Sequence, residues 1–188
     1  PINVGAMAAL IGVEIDIIDK LRSNYVNVHE VLDIGNDNSP GQMVISGHSS
    51  VVDKVITEYK SLGIKRAIKL PVSAPFHCGL MKKAADDMEE HLNSLEVLSP
   101  NIILINNVDA LPISDPLKIK ESLIKQITKT VRWRESIQNM CDLGVSSFIE
   151  LGAGNVLSGL VKRINKNVES ISIQNVNDIE NFVNNLER

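Results

Sequence analysis

Lys65-Arg66-Ala67-Ile68-Lys69-Leu70-Pro71-Val72 decides how the first third of the chain is read, because it supplies the last strand of a β-α-β-β-α-β succession. Working back from it, Gly63 ends a helix in which Val51, Val52, Val55, Ile56 and Tyr59 recur at helical spacing, with Ser49 or Ser50 as its cap. Gln42 to Gly47 forms the strand before that helix. The cluster Gly35-Asn36-Asp37-Asn38-Ser39-Pro40-Gly41 is expected to be a turn. Tyr25 to Ile34 alternates as an extended segment, Val13 to Ser23 places Ile15, Ile18 and Leu21 on one helical face, and Gly5 to Gly12 is the first strand. This order is the ferredoxin-like plan, and it assigns residues 5–70 to a small subdomain.

Working forward, Pro71 and Pro75 restrict the path of Leu70-Pro71-Val72-Ser73-Ala74-Pro75-Phe76-His77, so that His77 arrives aimed, just before a helix over 80–94. Two readings of it stand: an oriented general base, or a satisfied, helix-capping histidine. Ile102 to Ile105 reads as a buried strand, with helices over 119–127 and 133–143, a strand over 147–151, a helix from Val156, a strand over 170–174 and a helix over 178–186. Strands alternating with helices predict a parallel α/β sheet for residues 71–188, with too few strands to complete a large one.

Composition narrows the function. The chain has 188 residues, 44% hydrophobic, with a net charge of −4. Its longest basic groups are Lys82-Lys83 and Lys162-Arg163, and it holds three Phe, two Tyr and one Trp. A nucleic-acid partner is therefore not expected. Cys78 and Cys141 are expected to be free thiols in a reducing compartment, and no apolar run approaches membrane-spanning length. His29, His48, His77 and His91 lack metal-ligand spacing, so no metal site is expected. An opening on Pro1 without a leader reads as a fragment or a processed piece.

Other motifs have ordinary readings beside chemical ones. Gly152-Ala153-Gly154 between strand and helix is either a phosphate cradle or, as we favour, a tight turn, since Leu157 replaces the third glycine. Glu150 either caps that loop or faces solvent. Gly47-His48-Ser49-Ser50-Val51 is not a nucleophile elbow, because Val51 stands where the second glycine is needed. Asn36 and Asn38 fit a plain turn or the wall of a groove. Lys65 and Arg66 are solvated charges at a strand end or contacts for a phosphorylated ligand, eleven residues (roughly 35 Å at most) from His77.

Taken in order, G-A-M-A-A-L-I-G (5–12), N-D-N-S-P-G-Q-M-V-I-S-G (36–47), K-R-A-I-K-L-P-V-S-A-P-F-H-C-G-L-M (65–81), N-N-V-D (106–109), Q-I-T-K-T-V-R-W (126–133) and E-L-G-A-G-N-V-L-S-G-L (150–160) resemble the malonyl-CoA:acyl carrier protein transacylase family. The resemblance implies an α/β-hydrolase-like acyltransferase domain with an inserted ferredoxin-like subdomain. It implies ping-pong malonyl transfer from malonyl-CoA to the phosphopantetheine thiol of acyl carrier protein in fatty-acid biosynthesis, without a cofactor. His77 is then the general base and Gln126 supplies the main-chain carbonyl that orients it. Lys65 and Arg66 match positions near the coenzyme A phosphates, Asn36 and Asn38 the polar turn beside that groove, and Met7 a position near the acyl pocket. Phe76 matches the malonyl-selective pattern, leaving little room for an α-methyl branch.

In this family the serine elbow and the arginine for the malonyl carboxylate precede the matching region, so this chain resembles the C-terminal part, inactive alone. Exposed sheet edges make poor solubility the expectation. The implied location is the cytoplasm, or an organellar matrix or stroma in a eukaryote. Two alternatives are a fragment of a polyketide or multidomain fatty-acid synthase, and a non-catalytic module that binds a carrier protein.

Overall fold

A computed structural model describes residues 4–186. Eight strands and seven α-helices alternate along them. Two compact units divide the chain, residues 1–136 and 137–188, with the boundary falling inside one helix.

The first unit opens with β1 (Gly5–Ile11), α1 (Ile17–Tyr25), β2 (Leu32–Ser39), β3 (Gln42–His48), α2 (Ser49–Glu58) and β4 (Arg66–Lys69). The four strands form one antiparallel sheet in the order β2-β3-β1-β4, with Ala8 opposite Ile45 and Ala9 opposite Ile68. Side chains alternate across a strand, so one face collects Ala6, Ala8, Leu10, Leu32, Ile34, Met43 and Ile45. Against that face pack Ile17, Ile18 and Leu21 of α1 and Val51, Val52 and Val55 of α2, all buried. The opposite face presents Met7 and Ser46, paired in register.

Several expectations fail here for local reasons. The residues expected as a turn over 35–41 are mostly strand: β2 runs to Ser39 and only Pro40 and Gly41 remain outside it. Two register shifts, between Ile34 and Asn36 and between Asp37 and Ser39, let the polar sequence stay in the ladder. The extended segment expected from Tyr25 begins only at Leu32. Val28, one of its alternating residues, is 95% exposed, and the Val31 N–H goes to the His48 Nδ1 at 2.8 Å. Neither Ser49 nor Ser50 caps α2: Ser49 donates to the Val4 carbonyl and Ser50 to Glu30, while His48 takes the N-cap position.

Past β4, the Leu70 N–H reaches the Met7 carbonyl at 2.9 Å, after which Pro71 lacks a donor and pairing stops. A 3-10 turn (Gly79–Met81) leads into α3 (Lys82–Asn93). The apolar run Ile102–Ile105 is not a buried strand. Only β5 (Leu104–Ile105) pairs, with β6 (Pro112–Ile113), and Ile102 and Ile103 are 81% and 72% exposed. Asp115 accepts the Leu117 N–H at 2.8 Å, and with Pro116 behind it starts α4 (Pro116–Lys125) three residues before the apolar spacing begins.

Helix α5 (Trp133–Asp142) contains the unit boundary. In the second unit β7 (Ser147–Leu151) lies parallel to β8 (Glu169–Ile173) across α6 (Val156–Ile164), and α7 (Val176–Leu186) follows. The parallel sheet expected over residues 71–188 is thus found only between β7 and β8, whereas β5 and β6 pair antiparallel in a separate two-stranded ladder. No helix among the described residues is long and apolar enough to cross a membrane.

Candidate active site

His77 has φ +60°, a left-handed conformation that costs a residue with a Cβ about 1–3 kcal/mol unless its surroundings impose it. Close packing on both sides imposes it. Upstream, a Cβ on Gly5 would overlap the Pro75 ring, so the bare glycine lets Pro75 lie against β1. Downstream, buried Cys78 gives its thiol proton to the Pro75 carbonyl at 3.1 Å, and the Cys78 carbonyl receives the Met81 N–H at 3.0 Å. The Gly79 N–H donates to the Asp33 carboxylate at 3.1 Å.

The imidazole Nδ1 lies 2.6 Å from the main-chain oxygen of Gln126. Gln126 follows the last residue of α4, where carbonyls have no intrahelical partner and are free for other donors. A carbonyl oxygen only accepts, so Nδ1 carries a proton, and in the neutral ring Nε2 keeps the lone pair. The Gln126 side chain is occupied separately, its Oε1 receiving Asn107 Nδ2 at 3.3 Å.

The stretch after Gln126 is fastened to β2. Thr130 Oγ1 donates to the Ile34 carbonyl at 2.7 Å, Val131 N–H to Gly35 at 2.8 Å, and Asp37 N–H to Val131 at 2.9 Å. Arg134 then reaches Asp37 with Nε at 3.0 Å. Burial pushes the Asp37 carboxyl above the usual carboxylate value, against the pull of Arg134.

A cleft of about 460 Å³ opens beside His77, lined also by Arg22, Asp33, Gly79, Lys82 and Lys129. Asp33 there meets an Arg22 guanidinium nitrogen at 2.5 Å, and Lys82 pairs with Asp86. Cys78 is the adjacent thiol, but burial raises its pKa and keeps it neutral.

The structure brings His77 and Gln126 together and sets Phe76 and Met7 beside them. Phe76 is 40% exposed. A Cβ added to Gly35 would touch the Met7 methyl at 3.2 Å and the Phe76 carbonyl at 3.4 Å. Asn36 and Asn38 lie on β2, Asn36 in a parallel bridge to Val131. Lys65 and Arg66 sit at the far end of β4, Arg66 opposite Ile11 and the Lys65 stem over Gly12. None of these four lines the cleft. Nothing in the sequence pattern marks Arg22 or Asp33, whereas Gly79 falls inside the segment 65–81 that carries the family resemblance. Lys129 and its two threonine neighbours were inside a quoted motif, three residues past Gln126, which was the available signal.

The second unit resolves the glycine motif. The Glu150 carboxylate accepts the Leu157 and Ser158 N–H groups at 3.1 and 2.8 Å and the Ser158 hydroxyl at 2.7 Å. The helix N-terminus that a phosphate would need is thus filled by the chain's own anion, and Gly152 and Gly154 turn with positive φ. Among the described residues no group of three or more His, Cys, Asp or Glu is placed to hold a metal.

No family model matches the chain. Comparison with individual proteins is more informative. The malonyl CoA-acyl carrier protein transacylase of Staphylococcus aureus (strain COL) is 37% identical over 182 residues, which are 97% of this chain and 59% of that protein. A crystal structure of an acyl carrier protein S-malonyltransferase from Vibrio cholerae superposes with a TM-score of 0.91 at 43% identity, covering 97% of this chain and 59% of that one. A malonyl-transacylase solved in complex with its type II polyketide synthase acyl carrier protein gives 0.93 at 34% identity, covering 98% and 60%. The chain spans about three-fifths of the length of these relatives, and over that span it is similar to malonyl-CoA:acyl carrier protein transacylases in both sequence and α/β fold.

Proposed function

We propose that this chain is part of a malonyl-CoA:acyl carrier protein transacylase in fatty-acid biosynthesis, and that His77 is its general base. The observation that carries the reading is the hydrogen bond from His77 Nδ1–H to the Gln126 carbonyl, which leaves Nε2 free to take a proton. Nε2 removes the proton of a serine hydroxyl as its oxygen attacks the thioester carbonyl of malonyl-CoA. Collapse of the tetrahedral adduct expels the coenzyme A thiolate, which recovers that proton from the imidazolium. In the second half-reaction Nε2 deprotonates the phosphopantetheine thiol of the carrier protein, whose sulfur takes the malonyl group from the serine ester, and the imidazolium returns that proton to the serine oxygen as it leaves.

In this reading the serine, and the arginine that pairs with the malonyl carboxylate, come from the part of the relatives that this chain does not span, and the isolated chain is inactive. Residues 5–70 are then a ferredoxin-like subdomain inserted in an α/β-hydrolase-like domain, and residues 71–188 the C-terminal part of that domain. The four-stranded antiparallel order β2-β3-β1-β4 crossed by two helices on one face supports the first assignment. A relative's complex with its carrier protein supports the choice of partner. Lys65, Arg66, Asn36 and Asn38 are assigned to the coenzyme A groove by similarity alone, and the location follows as cytoplasm, or an organellar matrix or stroma.

The test joins this chain to the reading frame that flanks its coding segment and measures malonyl transfer from coenzyme A to acyl carrier protein. His77→Ala is expected to lower the rate by about 10²–10⁴-fold. Full transfer by the variant would remove His77 as the base.

A further inference from the structure

Arg22, on α1, and Asp33, on β2, form an ion pair that reaches the backbone of the His77 turn, while Gln126 meets its ring. Arg22 Nε donates to the Leu32 carbonyl at 2.8 Å and its terminal nitrogen to Asp33 Oδ1 at 2.5 Å. That leaves Asp33 Oδ2 to accept the Gly79 N–H at 3.1 Å. Two residues earlier, His77 holds its φ of +60°. The pair is too exposed, at 45% and 31% of its side chains, to matter much for global stability. Its geometry is nevertheless specific: one carboxylate oxygen on the guanidinium, the other on a backbone donor beside the histidine.

We propose that Asp33, clamped by Arg22, is a positioning residue for His77: its carboxylate holds the Gly79 N–H and so the left-handed turn from which the imidazole reaches the Gln126 carbonyl. The imidazole is restrained through its ring at one end and through its backbone at the other. Removal of the backbone restraint lets the His77 turn relax toward ordinary negative φ, which withdraws Nδ1 from Gln126 and permits the second tautomer. The inference rests on the proposed function only for its consequence on rate, because the state of the ring is measurable in the chain by itself.

The experiment records the ring ¹⁵N shifts of His77 by NMR in the isolated chain, together with Tm. Wild type is expected to show one ring state with Nδ1 protonated. Asp33→Ala should reduce the ratio of locked to unlocked ring about tenfold, the effect expected when a hydrogen bond to a charged group is lost. Asp33→Asn, which keeps an oxygen for Gly79, should largely restore it. Gly79→Pro removes the donor while both Arg22 and Asp33 keep their side chains. Cys78 already has the extended backbone that a following proline requires. It should reproduce the effect and decides the matter if Asp33→Ala does not fold.

Gly79→Ala keeps the donor, and its Cβ would meet nothing nearer than a Val31 methyl at 3.6 Å, so it should behave as wild type. Asp53→Ala, which removes the surface pair with Lys69, should leave the ring untouched. Wild-type ring shifts in both Asp33→Ala and Gly79→Pro, whatever their Tm, would overturn the proposal. A ring that responds while His77→Ala retains transfer in the longer protein would keep Asp33 as the positioning residue and reject the base assignment alone.

Discussion

The Nδ1 of His77 stands 2.6 Å from the main-chain oxygen of Gln126, so a backbone carbonyl occupies the place that a carboxylate takes in the more familiar triads. The two acceptors differ in kind. A carboxylate is a charge that a single substitution removes, whereas this carbonyl belongs to the end of α4 and persists with any side chain that keeps the helix end in place. It orients the ring and selects the tautomer without placing a negative charge beside the imidazole.

Gln126→Ala is therefore expected to leave the His77 ring state unchanged. It removes only the 3.3 Å bond from Asn107, at a cost of about 0.5–1.5 kcal/mol. Ring ¹⁵N shifts and urea unfolding measure the two effects separately, and a lost tautomer in this variant would assign the orienting role to the side chain.

Gly5 and Gly47 separate local from global damage. A Cβ on Gly47 would overlap the Val31 carbonyl oxygen and lie 2.9 Å from the Leu32 Cα, so Gly47→Ala forces β2 away from β3 and should cost about 3 kcal/mol or more in urea unfolding. A Cβ on Gly5 collides with the Pro75 ring, which belongs to the irregular segment, and lies 2.9 Å from the Gly47 carbonyl oxygen on β3. Gly5→Ala should therefore disturb the His77 ring signals as well as lower Tm, whereas Gly47→Ala should mainly lower Tm. Equal disturbance of both quantities by the two variants would contradict this division.

What could be read from sequence depended on how local the deciding interaction is. Ser147 to Leu151 and Val156 onward announced β7 and α6 because apolar periodicity and flanking glycines suffice for a short strand and its crossover helix. Val26, Val28 and Val31 mimicked a strand, yet the backbone there is spent on a turn and on the His48 ring. Asn36, Asp37 and Asn38 resembled a turn because their composition is that of turns, and long-range pairing with β3 and residue 131 overrode it. At the site, the prolines pointed to His77, but its carbonyl partner came from the family resemblance, since any residue type can offer a main-chain oxygen. Arg22 and Asp33 left no trace in the pattern. Their pairing exists only once α1 has packed beside β2.

Phe76 tests the malonyl selectivity that the family resemblance implies. Its carbonyl faces Gly35 beside Met7 while its ring stays partly exposed. In the proposed transacylase, Phe76→Ser should raise kcat/KM for methylmalonyl-CoA relative to malonyl-CoA by about 10-fold or more, the scale on which a pocket senses one methyl group. Unchanged discrimination would remove Phe76 from the acyl pocket.

Glu150 gives the second unit a pH response. Its hydrogen bonds with Ser158 and the α6 backbone hold its carboxyl below the ordinary value. A carboxyl lowered on folding contributes stability above its unfolded value and loses it as pH falls through the folded one. Glu150→Gln should thus narrow the stability difference from wild type as the pH falls through and below the usual carboxylate range. Amide hydrogen exchange should show Leu157 and Ser158 losing protection in Glu150→Ala at neutral pH. Unaltered exchange at both amides would mean that the carboxylate does not hold this helix end.

Asp37 should respond in the opposite sense. It is 2% exposed, and burial outweighs Arg134 in setting its carboxyl above the usual value. A carboxyl raised on folding binds its proton more tightly in the folded state, so its contribution is fully present below the unfolded value and declines as pH rises through the folded one. The stability of wild type minus that of Asp37→Asn should therefore fall across that window in urea unfolding. Arg134→Met leaves the buried carboxylate without its cation and should cost about 3–5 kcal/mol at neutral pH, less on the acidic side where Asp37 is protonated. Because Asp37 N–H also holds the Val131 carbonyl, five residues past Gln126, the same variant should loosen the His77 ring, and a ring unaffected by it would show that the stretch after Gln126 and the ring are independent.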